Sequence, residues 1–151
     1  MQISVQEADF DSGAEALALT QGRQDVGAVV TFEGRVRADH GLLALTLEHY
    51  PGMTEAEIAR HVDAAQARWP LAGVRIVHRI GRLGPGERIV LVITASAHRQ
   101  SAFEAAEFLM DYLKTRAPFW KQEHYGDGVR WVDARAGDLD AARRWQTSAK
   151  G

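Results

Sequence analysis

The hydrophobic pattern of the chain switches between the two-residue period of strands and the three-to-four-residue period of helices. Because only the polar turn Ala38–Gly41 separates the strands predicted on either side of it, we expect those two to be antiparallel neighbours. The strongly apolar, β-branched run Arg88–Ala95 predicts a central strand, and Gly81–Glu87 before it predicts a turn. Strands are predicted at Ile3 and Val5 and over Gly27–Val36, Leu43–Tyr50, Val74–Ile80, Arg88–Ala95, Phe119–Tyr125 and Val129–Ala134.

Two long helices are predicted, and a proline follows each of them. Thr54 and Glu57 have the spacing of a capping box at the start of the first helix, which stops before Pro70. The second helix spans Ser101–Arg116. Pro118 ends it, because the residue before a proline is disfavoured in helical geometry.

Shorter elements complete the predicted fold. One short helix is expected over Ala14–Thr20, capped by Ser12, and another over Asp138–Trp145. Gly126-Asp127-Gly128 predicts a hairpin between the last two strands. Strands joined by hairpins, with two main helices between them, predict a single α+β domain over residues 1–151 with a mostly antiparallel sheet.

Composition narrows the classes of function. The formal charge of −2 argues against general nucleic-acid binding, which usually shows as a basic excess. The absence of cysteine excludes disulfides, thiolate catalysis and thiolate metal sites. The histidines show no metal-ligand spacing and no glycine-rich phosphate loop is present, so neither a metal nor a cofactor is predicted. Without a membrane-length apolar run or a secretory pattern at the N-terminus, we expect a cytoplasmic location.

Two lysines flank one proline in the segment Lys114-Thr-Arg-Ala-Pro-Phe-Trp-Lys121. Only three of the 18 basic residues are lysines, so this pair indicates chemistry that needs an amine, which can lose its proton as arginine cannot. A helix end, a sharp break and a strand would bring both amines to one side, where they attract phosphate or carboxylate. The alternative is that both are solvated, with Lys114 complementing the helix C-terminus.

Two further basic pairs stand at the ends of predicted elements. His98 and Arg99 lie where a strand gives way to a helix, a position that favours anions. Alternatively, His98 bonds the backbone and Arg99 is solvated. Arg35 and Arg37 bracket Val36 at a strand end, and either bind an anion or form a charge pair on an edge strand.

The two-residue period also assigns faces at this strand end. Arg35 and Arg37 are expected on one face, opposite to the side chains of Phe32 and Gly34.

Three segments carry more information together than separately. They are Leu45-Thr-Leu-Glu-His-Tyr-Pro-Gly-Met-Thr54, Ser96-Ala-His-Arg-Gln-Ser-Ala-Phe-Glu104 and Asp111-Tyr-Leu-Lys-Thr-Arg-Ala-Pro-Phe-Trp-Lys121. The last of them is long and unusual in composition. Together they resemble the large, catalytic subunit of molybdopterin synthase, and the resemblance runs from about residue 27 to residue 145.

The resemblance implies an α/β hammerhead fold and a specific activity. Members of this family are sulfur transferases of molybdenum cofactor biosynthesis that convert cyclic pyranopterin monophosphate into molybdopterin. The sulfur arrives as a thiocarboxylate on the C-terminal glycine of a small ubiquitin-like partner subunit. The implied assembly is a heterotetramer, in which a homodimer of large subunits carries one small subunit at each end.

The resemblance also implies roles for residues of this chain. Lys114 and Lys121 match the family's two active-site lysines, and Phe32 matches an aromatic residue that lines the site. Substrate binding is implied for Arg35, Val36, Arg37, His98, Arg99, Gln122 and Glu123. This chain departs from the family at Gln122, where many relatives are basic, and in the turn Ala38–Leu42, which is short for the family.

Other classes of function remain open at this point. A non-catalytic module that binds a ubiquitin-like C-terminal tail or a phosphorylated metabolite would use the same basic residues. A phosphate-ester hydrolase using His98 and the lysines would lack a convincing nucleophile and metal set. A structural scaffold would not explain two lysines kept around one proline in an arginine-rich chain.

Overall fold

Eight strands and three helices make up the part of the chain that the computed structural model describes, residues 2–132 and Trp145. No helix among these residues is long and apolar enough to cross a membrane. In chain order the elements are β1 (Ile3–Gln6), α1 (Ser12–Thr20), β2 (Ala28–Arg35), β3 (Ala44–His49), α2 (Met53–Arg68), β4 (Leu71–Arg79), β5 (Gly81–Leu83), β6 (Arg88–Ser96), α3 (Arg99–Thr115), β7 (Phe119–Tyr125) and β8 (Gly128–Val132).

The first sheet has four strands in the order β1-β4-β6-β2, and only the β1–β4 pair is parallel. Strand β6 lies inside this sheet, which confirms the predicted central strand. Val90 and Val92 face the main core, whereas Leu91 and Ile93 face a smaller core that includes residues of α1. Because both faces of β6 are buried, its sequence is continuously apolar rather than alternating.

The second sheet is antiparallel throughout and has the order β5-β3-β7-β8. The predicted pairing of β2 with β3 is therefore wrong. The Val36 N–H still bonds the Glu87 carbonyl beside β6, whereas the Leu43 N–H already bonds the His124 carbonyl of β7. The chain crosses from one sheet to the other between these two residues. Strand β2 pairs with β6 and strand β3 pairs with β7, both of which come later in the sequence.

Two smaller predictions also need correction. Strand β5 lies inside the predicted turn Gly81–Glu87, because Leu83 is buried and pairs with Leu45 of β3. Helix α1 is capped by Asp11, whose Oδ1 accepts a 3.0 Å hydrogen bond from the Ala14 N–H, rather than by Ser12.

Helix α2 begins differently from the predicted capping box. Gly52, with a positive φ of 85°, is the N-cap, and its N–H donates to Glu55 Oε1 at 3.2 Å. Thr54 lies inside the first turn and is fully buried. Its Oγ accepts a hydrogen bond from the Tyr50 N–H and donates one to the Pro118 carbonyl oxygen, at 3.0 and 3.1 Å. The start of α2 is thereby tied to the corner between α3 and β7.

Helix α3 buries one face against the first sheet and against α2. It starts at Arg99, two residues before the predicted start, and ends at Thr115, short of Pro118 as predicted. The hairpin β7–β8 confirms the predicted turn near residues 126–128. The helix predicted over Asp138–Trp145 lies outside the described residues except for Trp145, whose indole N–H donates to Asp111 Oδ2 at 2.5 Å. The chain is an α+β domain, as predicted.

Candidate active site

Lys114 and Lys121 line one cavity of about 740 Å³ where the ends of the two sheets meet. Lys114 stands in the last turn of α3, and Lys121 is the third residue of β7. The corner between them is held by hydrogen bonds from the Arg116 and Ala117 N–H groups to the Tyr112 carbonyl, at 2.9 and 3.2 Å. The sequence predicted this convergence of the two amines; their catalytic roles stay predictions.

Seven of the ten residues predicted for the site line this cavity. They are Phe32, Arg35, Val36, Arg37, Lys114, Lys121 and Glu123. The turn that is short for the family also contributes, through Asp39, His40 and Leu42. Sequence reasoning missed Glu33, Tyr125 and the apolar wall formed by Leu45, Ile89 and Leu113. Of these, Tyr125 could have been found, because it shares a strand face with Lys121 and Glu123.

The end of β2 presents two guanidinium groups to the cavity. A register shift beside Gly34 and Arg35 leaves one extra residue, Ile89, on the neighbouring strand β6, so the alternation of β2 itself continues. Arg35 bonds Glu33, two residues before it, which fits the predicted placement of Arg35 opposite to Phe32 and Gly34. The cavity takes in side chains from both faces at this strand end, because Phe32, Gly34, Arg35 and Arg37 all line it.

Each of these arginines has an acidic neighbour. Arg35 Nε lies 2.5 Å from Glu33 Oε2, and Arg37 Nε lies 2.5 Å from Asp39 Oδ2. Hydrogen bonds from the Ser12 hydroxyl and then from Arg35 hold the pKa of Glu33 below its ordinary value. Glu33 also accepts a hydrogen bond from Arg88 at 3.2 Å. The carboxylates orient the guanidinium groups, while Arg35 and Arg37 keep most of their donors toward solvent and the cavity.

Strand alternation separates the residues of β7. Lys121 is half-buried and pairs with Leu47 of β3 on one side and with Val132 of β8 on the other. Glu123 follows on the cavity side, where its Oε1 accepts a 3.0 Å hydrogen bond from the Tyr125 hydroxyl. Gln122 does not line the cavity. Its role in substrate binding stays a prediction.

Lys114 differs from its neighbours in having no acidic partner. Its side chain is exposed at the rim of the cavity, and it forms no ion pair with any described residue. Its charge lies near the C-terminus of α3. In the solvated alternative this placement would stabilise the helix by a few tenths of a kcal/mol. That alternative does not explain why the charge faces a cavity already lined by other cations.

His98 and Arg99 do not line the cavity of their own chain. His98 is the N-cap of α3, and both side chains are exposed. Arg99 and Lys114 stand at opposite ends of this helix, and a rise of 1.5 Å per residue separates them by about 22 Å. Within a single chain the predicted convergence of His98 and Arg99 with the lysines is therefore not met.

A buried histidine behind the lysines was not among the predicted site residues. His78 of β4 is only 5% exposed and stacks on Phe119, with ring centroids 3.9 Å apart. Burial, with smaller contributions from the charges of Lys121 and Lys114, lowers the pKa of His78 to about 4. One sequence feature could have indicated it, because His78 continues the inward positions of the alternating run that contains Val74 and Ile76.

The cavity has a chemistry that follows from these groups. Two amines and two guanidinium groups converge on it, an arrangement that binds phosphate or carboxylate and stabilises developing negative charge. Among residues 2–132 and Trp145, no group of three or more His, Asp or Glu side chains could hold a metal ion. The lysine amines that line the cavity can transfer protons, and the amines and guanidinium groups together can stabilise negative charge.

The fold and the sequence of this domain match a known protein family. Residues 5–116 match the family model described as MoaE protein, and the chain belongs to this family. It is 60% identical to the molybdopterin synthase catalytic subunit of Mesorhizobium japonicum, over 98% of this chain and 95% of that protein. The family and this relative make the chain an enzyme of molybdenum cofactor biosynthesis, in the class of molybdopterin synthase catalytic subunits.

Solved structures agree with this assignment. The molybdopterin biosynthesis MoaE protein from Burkholderia ambifaria has a TM-score of 0.84 and 50% identity, covering 96% of this chain and 97% of that one. A Helicobacter pylori structure, described as a complex of subunits 1 and 2 of molybdopterin-converting factor, has a TM-score of 0.69. At 19% identity, over 89% of this chain and 90% of that chain, the latter supports the fold alone.

Proposed function

We propose that this chain transfers sulfur to cyclic pyranopterin monophosphate and so produces molybdopterin. The sulfur donor is the thiocarboxylate at the C-terminal glycine of a small ubiquitin-like partner subunit. The observation that carries the proposal is the convergence of Lys114 and Lys121 with Arg35 and Arg37 on one cavity. Both the substrate, through its phosphate, and the partner's tail, through its terminal group, bring negative charge to this cavity.

The size and lining of the cavity suit these two ligands. A volume of about 740 Å³ lies within the range of small-molecule sites and leaves room for a pterin beside the end of a peptide tail. Arg35 and Arg37 hold the cyclic phosphate through charge-assisted hydrogen bonds. Phe32 and the apolar wall contact the uncharged part of the substrate.

The two lysines divide the chemistry between them. Lys121, half-buried in β7, polarises the thiocarboxylate carbonyl or transfers protons as sulfur attacks the pterin side chain. Lys114, exposed at the rim, stabilises the negative charge that develops as water cleaves the bond between the glycine carbonyl and the transferred sulfur, and then the glycine carboxylate that this forms. Their contribution is therefore proton transfer and electrostatic stabilisation rather than a covalent amide with the partner.

His98 and Arg99 enter this scheme through a second copy of the chain. Since they stand about 22 Å from Lys114 along α3, they reach a lysine pair only if a homodimer brings them to the neighbouring site. Strand β2 is an edge of the described first sheet, since it pairs there only with β6, and its free edge is available for such an interface. With one small subunit at each end, the assembly is a heterotetramer.

The association with a small subunit is part of this proposal. The 60% identical protein of Mesorhizobium japonicum is named a catalytic subunit, a term for one component of a larger assembly. A cytoplasmic location and independence from a cofactor stay predictions from the sequence.

Turnover separates this function from the non-catalytic alternative. The purified chain is mixed with thiocarboxylated small subunit and cyclic pyranopterin monophosphate, and sulfur in the pterin is measured by mass spectrometry. We expect sulfur in the pterin and a carboxylate at the partner's C-terminus. A binding module would instead retain both ligands without chemical change, and this result would refute the proposal.

A further inference from the structure

His78 is a buried titratable group that the proposed mechanism has not used. It lies in β4 with 5% of its surface exposed, and its ring is stacked on Phe119 at an angle of 17°. Phe119 is the first residue of β7, two positions before Lys121. The strand that carries the half-buried lysine therefore also fixes the imidazole.

The hydrogen bonds of His78 determine which ring nitrogen carries the proton. Nδ1 lies 2.9 Å from the carbonyl oxygen of Arg79. A carbonyl oxygen only accepts, so Nδ1 must be the N–H donor. The neutral ring has one N–H, and its Nε2 is therefore left with a lone pair that accepts hydrogen bonds.

A second, smaller cavity joins the imidazole to both lysines. It has a volume of about 20 Å³ and is lined by His78, Lys114, Lys121, Phe119 and a few apolar side chains. A space of this size accommodates about one water molecule when polar partners surround it. The two lysines also line the large cavity, and so do Ile89, Leu113 and Phe119, so the lysines are part of the partition between the substrate site and the histidine.

The charges around His78 keep it neutral. Lys121 of β7, Lys114 of α3 and His49 of β3 all disfavour its protonation, in addition to the effect of burial. Lys121 is the largest of these three contributions. A neutral acceptor behind the ammonium groups can orient an N–H bond. Unlike a carboxylate, it does not cancel the positive charge that attracts the substrate.

We propose that His78 is a positioning residue for the sulfur-transfer reaction, accepting through Nε2 a hydrogen bond from the Lys121 amine, directly or through one water in the small cavity. This bond fixes the direction in which the remaining Lys121 donors face the substrate. It also gives the amine a partner on the side away from the substrate when its proton is transferred. The inference rests on the proposed function, because it assigns His78 to the same reaction.

Two substitutions distinguish loss of the Nε2 acceptor of His78 from loss of the imidazole ring as a whole. Asparagine at position 78 reaches only the place of Nδ1, whereas the amide of glutamine reaches the place of Nε2 and offers an oxygen there. We expect His78→Asn to lower kcat about tenfold, with a changed pH profile and little change in KM for the partner subunit. His78→Gln should restore most of kcat and the wild-type pH profile. Equal impairment of both variants with an unchanged pH profile would mean a merely structural role and would overturn the proposal.

A measurement on the unsubstituted enzyme covers the case in which the variants do not fold. Imidazole nitrogen chemical shifts at neutral pH report the protonation of each ring nitrogen. We expect a protonated Nδ1, an unprotonated Nε2, and an Nε2 shift that changes in Lys121→Ala. A proton on Nε2, or an Nε2 shift that is insensitive to this substitution, would overturn the proposal. Because this readout needs no turnover, failure of the proposed function would be seen separately, as absence of sulfur transfer by the unsubstituted enzyme.

Discussion

The Thr54 hydroxyl donates a 3.1 Å hydrogen bond to the carbonyl oxygen of Pro118. Thr54 belongs to the first turn of α2, and Pro118 belongs to the corner that separates the two site lysines. The same hydroxyl accepts from the Tyr50 N–H at 3.0 Å. One fully buried side chain therefore holds the helix start and the lysine corner in a fixed relation.

Thr54→Val should test this link, because valine keeps the shape of threonine and removes its hydroxyl. It leaves the Tyr50 N–H and the Pro118 carbonyl without this partner, at a cost of about 1–3 kcal/mol in the free energy of unfolding. Chemical denaturation measures this loss, and kcat should fall with it because Lys121 moves relative to Lys114. Thr54→Ser keeps the hydroxyl, so it should retain kcat and lose only about 1 kcal/mol for the missing methyl group. Equal kcat in the valine variant and the wild type would contradict the link.

Glu33 should make stability depend on pH in the acidic range. Its pKa in the folded state is lowered by the Ser12 hydroxyl and by Arg35, so its stabilising contribution is complete above the ordinary carboxylate value. The contribution is lost as the pH falls below about 4.5 toward the lowered value. Urea unfolding of the wild type and of Glu33→Gln measures it. The variant should be less stable near neutral pH and lose less stability on acidification; parallel curves would contradict this account.

Arg37 should matter for substrate affinity and little for folding. Its ion pair with Asp39 is exposed, with 72% of the Arg37 side chain accessible, and such pairs contribute about 0–1 kcal/mol. Loss of a charge-assisted hydrogen bond to the phosphate should raise KM for the pterin substrate about tenfold in Arg37→Ala. Asp39→Asn is the matched control, since it breaks the same pair and keeps the cation. An equal rise of KM in both variants would assign the effect to the ion pair.

Mixed dimers should reveal whether His98 and Arg99 act on the neighbouring site. One inactive parent carries Lys114→Ala with Lys121→Ala, and the other carries His98→Ala with Arg99→Ala. If the basic pair acts across the dimer, each mixed dimer contains one complete site, and random mixing should restore about a quarter of the wild-type activity. If the pair acts within its own chain, no complete site forms and activity stays at the level of the parents.

The sequence predicted the elements whose determinants are local. The continuous apolar run of β6, the prolines after α2 and α3, and the glycines of the β7–β8 turn each specify structure over a few residues. Which strands pair is a long-range property. The expectation that β2 and β3 are neighbours failed because β6 and β7, far later in the chain, compete for them. The helix starts also shifted, because Gly52 and Asp11 provide the caps through backbone and side-chain geometry.

The candidate site also contains residues that the local sequence predicts and residues that depend on long-range packing. The lysine pair could be predicted, since both amines flank a single corner of the chain. The apolar wall of Leu45, Ile89 and Leu113 could not, because these residues come from three elements that meet only in the folded chain. The only local signal at His78 is that a polar side chain stands at an inward-facing position of a strand. Its relation to Lys121 arises only when β4 and β7 are packed together.

The lysine variants test the central claim most directly. Lys114→Ala and Lys121→Ala are each assayed for sulfur transfer from thiocarboxylated small subunit to cyclic pyranopterin monophosphate. Arg82→Ala, which removes an exposed positive charge outside the cavity, is the matched control. We expect each lysine variant to lose about a hundredfold or more in kcat, and the control to match the wild type. Near-normal product formation by both lysine variants would contradict the account.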